Sequence, residues 1–312
     1  MEPYEKIYVS RHFLESEHGQ IDCPACHGGD PNSHDWQTAH EGLAKDPSYP
    51  DPQNACGGCH PEICASAPKS AHYTIAPIGQ AIARRMGAAS GTTQAALAQA
   101  QRNHCSQCHA SCGQCHVSRP DYVNGGFLAQ HGFQKTPPME TTCASCHGGR
   151  VFAEYTGLNA KIKADTHFED AEMKCADCHD ANQIHAAWDA AANRFPSPTR
   201  PHCVACHPDA ASGEGSDIHR DHTRTVACQV CHAQPSKHCF GCHVGTDDQG
   251  LAYYKCRKTV LDFKIGRNPR PSAAQPYRFV VLRHAPIVPE TFEHYAPAAL
   301  RAFASDPTWK PS

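Results

Sequence analysis

The chain has 312 residues, a formal charge of −3 and a negative mean hydropathy, and only 8% of its side chains are aromatic. With 25 Pro and 22 Gly interrupting it, a chain of this make-up cannot bury much apolar side chain, which excludes an ordinary large hydrophobic core. It has no run of 18 apolar residues, hence no transmembrane segment, and no basic surplus suited to nucleic acid.

Residues 1–22 read as a short helical lead-in carrying His12 and His18. No basic and apolar leader opens the chain, so a signal peptide is expected to have been removed. Then comes Cys23-Pro24-Ala25-Cys26-His27, followed by Gly28-Gly29 as a sharp exit. Residues 31–55 are turn-rich around a short helix near Trp36 to Leu43, with His34 before it and His40 on it. The same five-residue phrase returns as Cys56, Cys59 and His60, and Pro61 begins a helical run toward Cys64 and His72. Between residues 79 and 103 the one clear element is the Ala/Gln run Ala95 to Gln101, with Thr92 or Thr93 as its cap.

Two copies then stand seven residues apart: Cys105, Cys108, His109 and Cys112, Cys115, His116. Three more follow at intervals near 30 residues: Cys143, Cys146, His147; Cys175, Cys178, His179; and Cys203, Cys206, His207. The last two are Cys228, Cys231, His232 and Cys239, Cys242, His243. The intervening sequences share too little to form a solenoid repeat. Residues 244–312 carry no copy; Tyr277 to Arg283 reads as a strand and Glu290 to Ala304 as helix interrupted at Pro297.

One Cys-x-x-Cys is ambiguous between zinc, a redox dithiol and haem. Zinc sites need four ligands and no His behind every second Cys, and a redox dithiol would not recur nine times. His stands in that place nine times in nine, which selects covalent attachment of haem c. Nine haems would supply the apolar interior the side chains lack, and the fold expected is mostly irregular, with short α-helices and very little β, built around a covalent haem chain. Three regions follow: 1–103 with two motifs, 104–243 as a seven-haem body, and 244–312 as a haem-free tail. Covalent haem and so many thiols point to a periplasmic or extracellular location.

Of 24 His, 15 lie outside the motifs, enough to give every iron a second imidazole and a low-spin state. His104, His202 and His238 stand directly before a first Cys and cannot easily fold back onto their own haem. Met139 and Met173 are the nearest thioether candidates. Of 20 Cys, the motifs use 18 and leave Cys64 and Cys256, open to three readings: a disulfide, two free thiols, or a thiolate on iron. The closest haem contacts are expected at Cys105/Cys112 and Cys228/Cys239.

The stretch Cys56 to Ile63 followed by Ser70-Ala71-His72 resembles the superfamily of the tetrahaem ammonia-oxidiser cytochromes and hydroxylamine oxidoreductase, which implies that His72 is a distal ligand. From Cys105 onward the chain resembles large multihaem cytochromes of anaerobic metal- and sulfur-metabolising bacteria. The matching stretches are Cys112 to Pro120, Asp165 to Phe168, Asp262 to Asn268, Arg283 to Pro286 and Pro307 to Lys310. That resemblance implies distal roles for His131, His167, His185, His219, His222 and His284. Adding His18, His40 and His72 completes a set of nine, with His12, His34 and His294 as alternatives. The function expected is electron transfer along mostly bis-imidazole haems, to redox partner proteins or between copies of the chain in a filament clasped by the tail. The alternative is an oxidoreductase acting on a small nitrogen or sulfur oxyanion at one open iron. All nine motifs keep His, unlike the Lys-marked active site of the pentahaem nitrite reductases, so the carrier is favoured over an enzyme.

Overall fold

A computed structural model describes residues 9–86, 91–188, 201–214, 216–273, 275–282 and 289–295. Short helical segments and irregular connections dominate, with a small amount of antiparallel strand. No described helix is long and apolar enough to cross a membrane. The chain divides into two units, one formed by Met1–Ala76, Gln107–Gly148 and Cys175–Trp188, the other by Pro77–Ser106, Gly149–Lys174 and Asp189–Ser312.

In the first unit the helices run four to six residues, among them Arg11–Leu14, Cys23–His27, Trp36–Ala39, Pro61–Ser66, Ala71–Thr74, Cys112–His116 and Ala181–His185. Helices this short do not persist alone in water, so local devices set their boundaries. Side-chain oxygens of Ser10, Asp35, Ser70, Ser111 and Asp180 accept the orphan N–H two or three residues on. The helix expected near Trp36 to Leu43 stops at Ala39, and the run after Pro61 is broken by a 3-10 turn at Ala67–Lys69 before Ala71–Thr74. A polar web binds the loop at residue 46 to the fourth motif. Asp46 accepts from Ser48 and from Ser111, while the N–H of Gly113 donates to Ser48 Oγ at 2.8 Å. A Cβ on Gly113 would lie 2.8 Å from Asp46 Oδ1, so a larger residue there would have to push the Asp46 carboxylate aside.

The second unit carries the longer elements. Helices Ala76–Met86 and Gly91–His104 lead into it, so the expected Ala/Gln helix begins earlier than its Ala run and takes Thr92 and Thr93 into its first turn rather than at its cap. Strand β1, Ser236–Thr246, pairs antiparallel with β2, Ala252–Asp262, and β3, Lys264–Arg267, pairs with β4, Phe279–Leu282. The turn between β1 and β2 is closed by Asp247, whose carboxylate accepts the N–H groups of Gln249 and Leu251 at 3.0 and 2.8 Å. Strand β4 lies within the stretch Tyr277 to Arg283 that read as a strand but starts only at Phe279; the β1–β2 hairpin was not foreseen. Ile82, Leu97, Ala100, Val244 and Phe292 form a buried apolar cluster with Ile78 and Tyr295 against it. Only a single 3-10 turn, Pro289–Phe292, is seen of the helix expected from Glu290 to Ala304, and residues 296–312 lie outside the described part.

Candidate metal centres

A Cys-x-x-Cys-His phrase wound as one helical turn puts both thiols on one face, one turn apart, with the imidazole just beyond them. Helices Cys23–His27, Cys112–His116 and Cys228–His232 each contain a whole motif. The fifth, sixth and seventh motifs lie on Ala144–His147, Cys175–Cys178 and the 3-10 turn Cys203–Ala205, and the third on the 3-10 turn Ser106–Cys108. In the second, the amides of Cys59 and His60 both donate to Cys56 O, closing the turn, and Pro61 opens the next helix. The ninth motif differs: Cys239 to His243 is part of strand β1, with Gly241 at φ 59° and Cys242 opposite Cys256.

Six motif histidines face a histidine from outside the motifs. The pairs are His18 with His60, His27 with His131, His72 with His147 and His116 with His185 in the first unit, and His167 with His207 and His219 with His232 in the second. Their ring centres are 5.8 to 6.3 Å apart. A metal–imidazole bond of about 2.0 Å plus ~1.1 Å from nitrogen to ring centre would set two imidazoles on one metal roughly 6 Å apart, so the spacing of each pair is one at which the two rings could hold an iron between them. His131 reaches its place through a left-handed backbone, φ 74°, unusual for a residue with a side chain. Among the described residues, no group of three or more His, Cys, Asp or Glu converges as a closed zinc site would require.

The tautomers fit the same role. His27 Nδ1 donates to Ala44 O at 2.7 Å, His116 to Gln134 O at 2.7 Å, His40 to Trp36 O at 2.7 Å and His222 to Ile218 O at 2.8 Å. His179 Nδ1 meets Gln183 Oε1 at 2.7 Å, and His167 Nδ1 meets Asp165 Oδ1 at 2.8 Å. A carbonyl or carboxylate only accepts, so Nδ1 carries the proton and Nε2 keeps its lone pair for a metal. Burial first, and the facing imidazole second, hold His18, His72, His131 and His185 below the ordinary histidine range, in the neutral form a ligand needs.

Three histidines show the opposite pattern, with Nε2 already engaged. His104 Nε2 bonds Tyr295 Oη at 2.6 Å, His238 Nε2 bonds Ser236 Oγ at 3.2 Å and His294 Nε2 bonds Thr246 Oγ1 at 3.0 Å. None of the three belongs to the expected distal set. Within that set, His18, His72, His131, His167, His185 and His219 meet a motif partner, His40 and His222 have anchored rings, and His284 lies outside the described residues. The ring of His109 stacks on Tyr49 at 4.8 Å.

The thiols draw motifs together. Cys108 has Cys146 as a neighbouring thiol, Cys143 has Cys175 and Cys203 has Cys228. Cys146 holds Cys108 down to about 7 and is itself pushed up. Burial, with Cys143 adding to it, drives Cys115 up to about 12. These neighbouring thiols bring the third motif to the fifth, the fifth to the sixth and the seventh to the eighth, connections that spacing along the chain did not announce. Cys64 is a thiol buried near Pro52 O, and Cys256 is an exposed thiol on β2 bonded to Lys258 O and Phe240 O. Met139 is buried at the start of the segment Met139–Cys143.

Reasoning from motifs alone missed the groups that orient the rings, chiefly Asp165 and Gln183, and Phe133, whose ring lies flat on His18 at 3.9 Å. The signals were local: Asp165 stands two residues before His167, and Gln183 four after His179. No protein-family model, no curated protein and no solved structure matches this chain.

Proposed function

We propose that the chain is a nonahaem c-type cytochrome carrying electrons along mostly bis-imidazole centres, in periplasmic or extracellular respiration. The observation that supports it best is the set of six histidine pairs, each joining a motif imidazole to a non-motif one at a spacing near 6 Å. The motif thiols would attach the porphyrins, and the facing imidazoles would close both axial positions of the irons. Bound there, haem c supplies a one-electron ferric/ferrous couple that needs no bond-making to substrate.

What the chain contributes is attachment, orientation and burial. Nδ1 anchors fix ring rotation and tautomer, and the closeness of neighbouring motifs would bring their centres near one another. With both sides of an iron taken by imidazole, no position is left for a small oxyanion, which favours a carrier over a reductase. Redox proteins or further copies of the chain in a filament are the partners that suit such a carrier.

Mass spectrometry of the mature protein, joined to EPR and visible spectra with and without nitrite, hydroxylamine or CO, tests this reading. Nine covalent haems, low-spin iron and indifference to added ligands are expected. A high-spin signal worth one haem that shifts with a small ligand would turn the reading toward the oxidoreductase, and zinc in place of haem would end it.

A further inference from the structure

We propose that Asp165 is a positioning residue that lowers the reduction potential of one centre, the one at the seventh motif, by holding the Nδ1 proton of His167. The inference rests on reading His167 and His207 as the two axial imidazoles of a single iron. Their ring centres are 6.0 Å apart, and Cys203 and Cys206 stand just before His207.

Asp165 precedes the helix Thr166–Glu169 in an extended conformation, and one of its oxygens, Oδ1, accepts twice from His167. The backbone N–H donates to it at 2.9 Å and the ring Nδ1 at 2.8 Å. The carbonyl of His167 in turn accepts from the Met173 N–H at 2.8 Å, so the residue is held at both ends of its backbone. Cap and anchor are thus the same atom, and neither the ring nor its tautomer is free to turn.

The nature of that acceptor sets His167 apart. Of the imidazoles with an anchored Nδ1 among the described residues, His27, His40, His116 and His222 donate to backbone carbonyls and His179 to the neutral amide of Gln183. His167 alone in this group donates to a carboxylate. A carbonyl leaves the ring a neutral donor. A carboxylate draws the Nδ1 proton toward itself and loads negative charge into the ring, making Nε2 the stronger donor to a metal. A more basic axial ligand favours ferric over ferrous iron, so this centre takes up an electron last among otherwise similar neighbours. The eighth motif, at Cys228, is the next along the chain, and Asp165 would set the seventh centre below its neighbours rather than leave a uniform row.

The test is Asp165→Asn in the full, haem-loaded protein, by redox titration followed by EPR. Asparagine caps a helix start about as well as aspartate, and its amide oxygen still accepts both N–H groups, so the fold of the segment is kept while the charge is lost. One of the nine midpoints should rise by about tenfold in the oxidised-to-reduced equilibrium, ~59 mV for a one-electron couple, with the low-spin EPR signal of that centre moving too. Gln183→Glu is the converse variant and should lower the midpoint of the centre that His179 serves. Nine unchanged midpoints in Asp165→Asn, with nine haems still attached, would overturn the inference and leave Asp165 a helix cap only. A tryptic peptide carrying Cys203 and Cys206 without haem would instead remove the reading beneath it, an outcome that mass alone separates from the first.

Discussion

The unit containing Ile82, Leu97, Val244 and Phe292 has an interior of its own making, and the unit containing the first two motifs does not. In the former, two helices of 11 and 14 residues and an 11-residue strand bring apolar side chains into one buried cluster. In the latter, buried polar residues such as Ser48, Ser70, Ser111, Gln114 and Thr142 outnumber the buried apolar ones, Cys64, Ala67, Ile75 and Met139, among the described residues. Large apolar side chains are exposed in both units, Trp36 at 69% and Leu43 at 51% in the first and Leu158 at 69% and Ile218 at 66% in the second. The proposed haems would cover such surface in both. The difference teaches that side-chain burial in the second unit supplements whatever its own motifs hold, whereas in the first unit the proposed haems would have to supply most of the interior.

The largest effect should therefore come from withholding haem. In a chain matured without it, amide exchange should show residues 9–76, 107–148 and 175–188 unprotected, a loss of their whole folding free energy, on the order of 5–15 kcal/mol for a domain. The segments around Leu97 and β1–β2 should keep measurable protection. Equal protection in both units would break the comparison.

Next in size is Phe292→Ala. This ring is 2% exposed among Ile82, Leu97 and Val244, and truncating a buried Phe costs about 3–5 kcal/mol. Denaturant unfolding should show the loss in the second unit, with the visible spectrum of the mature protein unchanged. A paired experiment then separates histidines by role. His219→Ala should leave one high-spin centre, because it removes the ring facing His232. His104→Leu should leave every centre low-spin and cost about 1 kcal/mol, because the half-buried Tyr295 Oη loses the imidazole as its acceptor and keeps only the Asn103 Nδ2 donor.

The sequence made the motifs and several histidine pairings easier to anticipate than the fold. The nine motifs declared themselves, and six of the nonmotif histidines singled out do face motif histidines. Which faces which stayed hidden, since His131 lies beyond the fourth motif yet meets His27 of the first, and no local period encodes a contact between such distant segments. Fold prediction faltered where a motif masks another signal. Residues Ser236 to Thr246 look like a haem phrase first, although Val244, the turn Asp247 to Gly250 and the Tyr253-Tyr254 pair that follow have the composition of a hairpin. The helix starting at Gly91 was read short because an Ala run is easier to see than the Thr residues it extends through.

The smallest effect addresses how the first unit is held where side-chain burial is thin. Ser111 does two things: its hydroxyl oxygen accepts the Gln114 N–H at 3.1 Å, capping the fourth motif's helix, and its O–H donates to Asp46. Ser111→Ala removes both, and a lost N-cap alone costs about 1 kcal/mol. Because Ser111 is 2% exposed, water cannot replace either bond, and Asp46 is left with Ser48 as its remaining donor in this web. A shift of roughly 1–2 kcal/mol in denaturant unfolding is expected in the mature protein. Ser111→Thr, which keeps the hydroxyl, should recover most of the cap and isolate the steric cost of one methyl group. If the first unit draws its cohesion from haem, the alanine variant should keep all its covalent haems and its spectrum, and lose only this local increment. Loss of the haem at Cys112 and Cys115 on so mild a change would show instead that the polar web, and not the cofactor, organises that motif.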